Sequence, residues 1–189
     1  LDFGASPNLF YAPDGRLLVG ELQKSGNFYV FDAATMEREW MVPMGVPCFP
    51  CNTASSAVVS NRVFAIGAPA RVIYAAEEGG FAWLSPLPNV GLIHYQALSA
   101  ANGIVYTYDG SALNGWSTET GDLLHFQFLD QAALVPDVSA EQLAVILGGN
   151  LSHPATAAFL NSDSSGIAIA RNTLYVASKN RIYAMRLPE

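Results

Sequence analysis

Between Ile104 and Tyr108 the side chains alternate: Ile104, Tyr106 and Tyr108 fall on one face, Val105 and Thr107 on the other. That period of two predicts a strand. The setting of this strand recurs along the chain as a run of small and β-branched residues, a turn, and then an aromatic-rich strand. The versions are Ala57-Val58-Val59-Ser60-Asn61-Arg62-Val63-Phe64, Leu98-Ser99-Ala100-Ala101-Asn102-Gly103-Ile104-Val105-Tyr106 and Ala168-Ile169-Ala170-Arg171-Asn172-Thr173-Leu174-Tyr175. Asn102-Gly103, and Asp14-Gly15 in an earlier copy, are hairpin signals because the centre of a tight turn needs positive φ.

A second pattern follows each of these. An aromatic ends one strand, a small or polar turn follows, and another strand begins at Phe31-Asp32-Ala33-Ala34, Tyr74-Ala75-Ala76-Glu77 and Trp116-Ser117-Thr118-Glu119. The leading aromatics are 43 and 42 residues apart, and Tyr183 lies 67 beyond Trp116, which predicts one extra loop there. Each unit therefore predicts four short antiparallel strands in about 42 residues, the blade of a β-propeller. The fold expected is all-β, with blades at about 1–47, 52–90, 94–129 and 164–189 and an insert at 130–163. A two-sheet sandwich is the alternative, but it has no reason to repeat a motif at this period. Small residues in the first strand of each unit suit a crowded propeller axis. In the insert, Ser139 and Gln142 form a capping box ahead of Leu143, Val145, Ile146 and Leu147, and Gly148-Gly149 follows, which predicts one short helix.

The fourth unit reaches Tyr183-Ala184-Met185-Arg186-Leu187 with no room for a fourth strand. A propeller closes by completing one blade with a strand from the other terminus, since an open edge invites aggregation. The missing strand is expected upstream of Leu1, because the chain opens there with neither an initiator Met nor a basic-then-apolar leader. The expectation is the C-terminal half of a ring of about seven or eight blades, needing the N-terminal blades to close it.

Composition narrows the function. Hydrophobic residues make up 51% and charged residues 13%, and 16 Gly and 11 Pro punctuate many short elements. Nine basic against sixteen acidic side chains give a net charge of −7, with no basic cluster, which argues against nucleic acid. No apolar run reaches the ~18 residues of a membrane helix. No Gly-x-Ser-x-Gly elbow, Walker loop or His-Glu-x-x-His helix occurs, so hydrolase, nucleotide and zincin chemistry lack support.

The unit Asp32-Ala33-Ala34-Thr35-Met36-Glu37-Arg38-Glu39-Trp40 resembles the tryptophan-docking repeat of pyrroloquinoline-quinone (PQQ) propellers. Trp83 keeps the closing residue, His125 replaces it in the third copy, and the fourth copy ends before it. Non-catalytic outer-membrane assembly lipoproteins share these blades, so the resemblance implies a fold more than an activity. A more specific stretch runs from Asp2-Phe3-Gly4-Ala5-Ser6-Pro7-Asn8-Leu9 to Gln23-Lys24-Ser25-Gly26. It resembles the quinoprotein alcohol dehydrogenases and, more closely, their polyvinyl-alcohol dehydrogenase branch. The resemblance puts Asp2 at the catalytic aspartate and Lys24 at the cation that contacts the quinone oxygens. It implies PQQ and calcium as cofactors and a small-molecule alcohol as substrate. Leu1 stands where the alcohol dehydrogenases carry Trp, and Gly4 where lanthanide-using members carry a second Asp. The calcium-ligating Glu and Asn are expected upstream. The other reading is a non-catalytic propeller binding a protein or glycan partner.

Cys48 and Cys51 enclose Phe49-Pro50, and Asn52 breaks the haem signature Cys-x-x-Cys-His at its last position. Zinc would need two more ligands, and the Pro-rich setting does not suit a redox dithiol. A structural disulfide between Cys48 and Cys51 is expected, and with the resemblance it implies an extracytoplasmic, periplasmic or secreted protein. His94, His125 and His153 are scattered. His94 is expected at the start of an innermost strand, and Asn150-Leu151-Ser152 is a formal glycosylation sequon.

Overall fold

The computed structural model describes residues 2–47, 52–68, 72–88, 97–108, 112–129, 166–178 and 181–187. These form four consecutive antiparallel meanders. Sheet 1 contains β1 (Asn8–Tyr11), β2 (Leu17–Leu22), β3 (Asn27–Asp32) and β4 (Arg38–Pro43). Sheet 2 contains β5 (Ala57–Val59), β6 (Arg62–Ile66), β7 (Val72–Glu77) and β8 (Gly80–Pro86). Sheet 3 contains β9 (Leu98–Ala101), β10 (Ile104–Tyr108), β11 (Ala112–Ser117) and β12 (Leu123–Phe128). Sheet 4 has three strands, β13 (Ile167–Ala170), β14 (Thr173–Ser178) and β15 (Arg181–Arg186). No helix occurs among the described residues, and the predicted insert helix lies outside them.

The hairpins follow the sequence signals. Asn102 and Gly103 take φ of 51° and 74° between Ala101 and Ile104, and Arg171 and Asn172 take 49° and 58° between Ala170 and Thr173. Positive φ at both central residues is the turn whose twist matches that of the strands it joins.

The first strand of each sheet adjoins the first strand of the next, β1 to β5, β5 to β9 and β9 to β13. The small residues of these strands therefore line the inner side of an arc. One apolar cluster fills each gap between sheets. Phe10, Leu18, Phe28 and Val30 meet Val63, Ala65 and Ala76 between sheets 1 and 2. Phe64, Ile66 and Ile73 meet Leu98, Val105 and Trp116 between sheets 2 and 3. Tyr106, Tyr108 and Leu113 meet Leu174 and Val176 between sheets 3 and 4. The alternation in β10 is thus used on both faces, Val105 toward sheet 2 and Tyr106 and Tyr108 toward sheet 4.

Strand register corrects the alignment of the repeats. Trp40 pairs with Val30, Trp83 with Ala75 and His125 with Gly115, and a bulge follows each partner. The closing position is one structural site with the 43- and 42-residue period. The leading aromatics are not. Phe31 and Trp116 follow the bulge, where sheet 2 has Ala76, whereas Tyr74 precedes it by two residues. Tyr29 and Phe31 stack two residues apart on one face of β3, so an alignment on aromatic character alone slips by two.

Candidate functional site

The segment ahead of β1 lies along the β2–β3 turn. Phe3 forms an isolated antiparallel bridge with Gln23, and the Lys24 amide donates to the Asp2 carbonyl at 3.1 Å. The turn itself closes through Gly26 N–H to the Gln23 carbonyl at 2.8 Å. This backbone frame places the two side chains together: Lys24 Nζ donates to Asp2 Oδ2 at 3.1 Å. Lys24 is the covered partner, with 14% of its side chain exposed against 68% for Asp2. The hydrogen bond from Lys24 holds the Asp2 carboxyl below the usual carboxylate range, so it is ionised at neutral pH.

Gly4 makes room for this arrangement. A Cβ there would stand 2.7 Å from Thr53 Cγ2 and 3.2 Å from Lys24 Cε. Any larger side chain, an aspartate included, would displace the lysine stem or Thr53.

Asn52 is the residue that sequence reasoning missed. It appeared there only as the position that breaks a haem signature. Its side chain is buried, and it adopts a left-handed φ of 59°. Nδ2 donates to the carbonyls of Lys24 at 3.3 Å and Val46 at 3.0 Å, and Oδ1 accepts from Ala68 N–H at 2.6 Å. One amide thus joins the β2–β3 turn, the loop after β4 and the loop after β6. Close backbone approach reinforces the joint, because a Cβ on Gly67 would stand 2.0 Å from the Met44 carbonyl oxygen. The signal available was conformational, since Asn is among the few residues that tolerate left-handed φ.

Glu21, three residues before Lys24 on the same sheet, has the opposite electrostatics. Burial pushes its carboxyl up, and an N–H of Ala5 offsets part of that rise. It pairs across the sheet with Tyr29, whose ring meets Phe3 edge-on at 6.0 Å.

At the other end of the strands Arg16 bonds Glu39, Asp14 at 2.8 Å and Asp32 at 3.4 Å. Asp32 also caps the β3–β4 turn, accepting from the Ala34 and Thr35 amides at 2.8 and 3.0 Å. These carboxylates tie the sheet to itself.

Cys48, Cys51, His94, His153 and the sequon lie outside the described residues. Among the described residues no three or more His, Cys, Asp or Glu side chains gather as a metal site. Among the described residues no helix is long and apolar enough to cross a membrane.

No family model matches the chain, and no curated protein matches it either. Solved structures do. BamB from Moraxella catarrhalis superposes with a TM-score of 0.59 at 14% identity, over 97% of this chain and 50% of that one. The computationally designed Ika8 protein gives 0.59 at 12% identity, over 98% of this chain and 46% of that one. The designed Ika4 protein gives 0.57 at 12%, over 97% and 92%. The chain spans about half the length of BamB and Ika8, and nearly all of Ika4. At such identities the likeness is one of fold, and with the four tandem sheets it makes this chain an open arc of a β-propeller.

Proposed function

We propose that this arc belongs to an extracytoplasmic quinoprotein-like dehydrogenase that oxidises an alcohol with PQQ and calcium. The observation that carries the proposal is the Asp2–Lys24 pair at 3.1 Å, two residues 22 apart in sequence that the resemblance assigns to one site. Their chemistry fits a quinone. Bound PQQ supplies an acceptor for the hydride leaving the alcohol carbon. Asp2, ionised and largely exposed, is available to take the hydroxyl proton. Lys24 is a cation held by its buried stem and supplies positive charge where a neighbouring oxygen becomes negative. Because Lys24 also lowers the basicity of Asp2, proton uptake is easier once the ammonium has turned to another oxygen. The described residues offer no acidic cluster for calcium, so further oxygen donors are needed there. The cysteine pair and the resemblance support the extracytoplasmic setting. A non-catalytic propeller binding a protein partner is the second reading, favoured by the 68% exposure of Asp2 and by the loss of the closing Trp at His125.

The test is a titration of the protein with PQQ and calcium, following quinone absorbance and dye reduction with several alcohols. Saturable quinone binding with turnover is expected, and Asp2→Ala should lower turnover about 10²–10⁴-fold. Absence of binding at micromolar quinone would leave the partner-binding propeller.

A further inference from the structure

The turns that lead into the fourth strands differ in one residue. Met36 N–H donates to the Asp32 carbonyl as Gly121 N–H donates to that of Ser117, so the two are counterparts. Both take left-handed φ, 58° and 76°. Gly121 receives the Trp83 ring of the preceding sheet, where a Cβ would stand 2.6 Å from Cε3, and Gly79 receives Trp40. Sheet 1 carries Met36 at this position, 63% exposed, in a conformation that few side chains adopt. Its Cβ stands where the closing tryptophan packs on the later sheets. The face of sheet 1 therefore suits a preceding sheet without that tryptophan. Sheet 4 is such a sheet, since among the described residues it has three strands and no closing residue.

The charges agree. In the joint between sheets 2 and 3, Arg62 donates to the Thr118 carbonyl at 2.8 Å and to Glu119 at 3.3 Å, so a basic residue of one sheet meets the acidic turn of the next. Sheet 1 offers such a turn, where Asp14, Asp32 and Glu39 share Arg16 and Glu37 stands exposed. The charged residues between 166 and 187 are Arg171, Lys179, Arg181 and Arg186, all basic. Arg171 in the β13–β14 turn and Arg186 opposite Thr173 lie at the end of sheet 4 that Arg62 occupies in sheet 2.

We propose that two copies of this chain close head to tail, the outer face of sheet 4 in each packing on the outer face of sheet 1 in the other. Leu9, Tyr11 and Leu17, at 67%, 66% and 40% exposure, form one apolar half of the joint, and Tyr175 and Ile182, at 40% and 76%, the other. Two arcs of four sheets fall within the ~4–8 blades of closed propellers. A head-to-tail contact whose rotation closes makes a ring and leaves no apolar end.

Sedimentation velocity over a range of concentrations reads the ring as a species of two copies. Leu9→Lys and Ile182→Lys, each at an exposed position, should each weaken it at least about tenfold. An equimolar mixture of these two variants should associate more tightly than either alone, because one joint then pairs an intact sheet 1 with an intact sheet 4. Arg171→Glu should also weaken the dimer at low salt, the effect fading near ~0.5 M. Four results would overturn the proposal: a monomer throughout, loss in only one of the two lysine variants, a mixture no tighter than its components, or species that grow beyond two copies.

Discussion

Glu21 and Asp2 are carboxylates whose surroundings push them in opposite directions. Burial raises Glu21, so its contribution to stability is largest below the ordinary Glu value of ~4.3 and is lost as pH rises through its folded value. Glu21→Gln should therefore raise the denaturation midpoint at pH 7, with the difference vanishing at pH 3. Asp32 is held low by the Thr35 and Ala34 amides first and by Arg16 after them. Its stabilisation is complete above the ordinary Asp value of ~3.9 and is lost as pH falls through the depressed one. Asp32→Asn keeps an acceptor for the turn but cannot titrate, so melting curves of this variant should fall less steeply with acid. Asn52→Ala removes the acceptor of the buried Ala68 amide and a donor to the Lys24 and Val46 carbonyls, and should cost about 1–3 kcal/mol in denaturant unfolding. The resemblance named Asp2 and Lys24 for two separate roles; that their side chains pair shows only in the fold. Asn52 was not legible, because its role rests on three loops that meet only in the fold.

Among the elements, the second and fourth strands of sheet 2 both reach across to the next sheet. Trp83 and Arg62 of sheet 2 both donate to the Thr118 carbonyl of sheet 3, at 3.1 and 2.8 Å. Truncating Trp83 to Ala removes the packing against Phe64 and Gly121 and leaves that gap empty. A loss of about 3–5 kcal/mol is expected, read from the urea midpoint. Gly121→Ala should also destabilise, since its φ is +76° and the Trp83 ring occupies the space of a Cβ. The closing tryptophans, the two-residue hairpins and the alternation of β10 could all be read from the chain, because each depends on local chemistry. The register of the third strands could not, because a bulge shifts pairing without a residue type of its own.

At the scale of the whole molecule, the internal gaps explain the two ends. Leu9 and Tyr29 of sheet 1 occupy the positions that Val58 and Tyr74 use in sheet 2 against the preceding sheet, yet Leu9 is 67% exposed. Tyr175 and Ile182 of sheet 4 correspond to Phe64 and Ile73, which are buried against sheet 3, yet Ile182 is 76% exposed. Apolar faces of this kind favour association. Sedimentation velocity of the isolated chain should show concentration-dependent association that the pair Leu9→Lys and Ile182→Lys reduces. A monomer at every concentration would contradict the open arc. The incomplete fourth sheet was foreseen because strand counting within a repeat is arithmetic.

Quinone affinity and alcohol turnover, measured together on the wild type, Asp2→Asn and Lys24→Met, test most directly the proposal that Asp2 and Lys24 act as one site. Lys24→Met should weaken quinone binding at least about tenfold, whereas Asp2→Asn should keep the affinity and lose turnover. Equal affinity and equal turnover in all three proteins would contradict it.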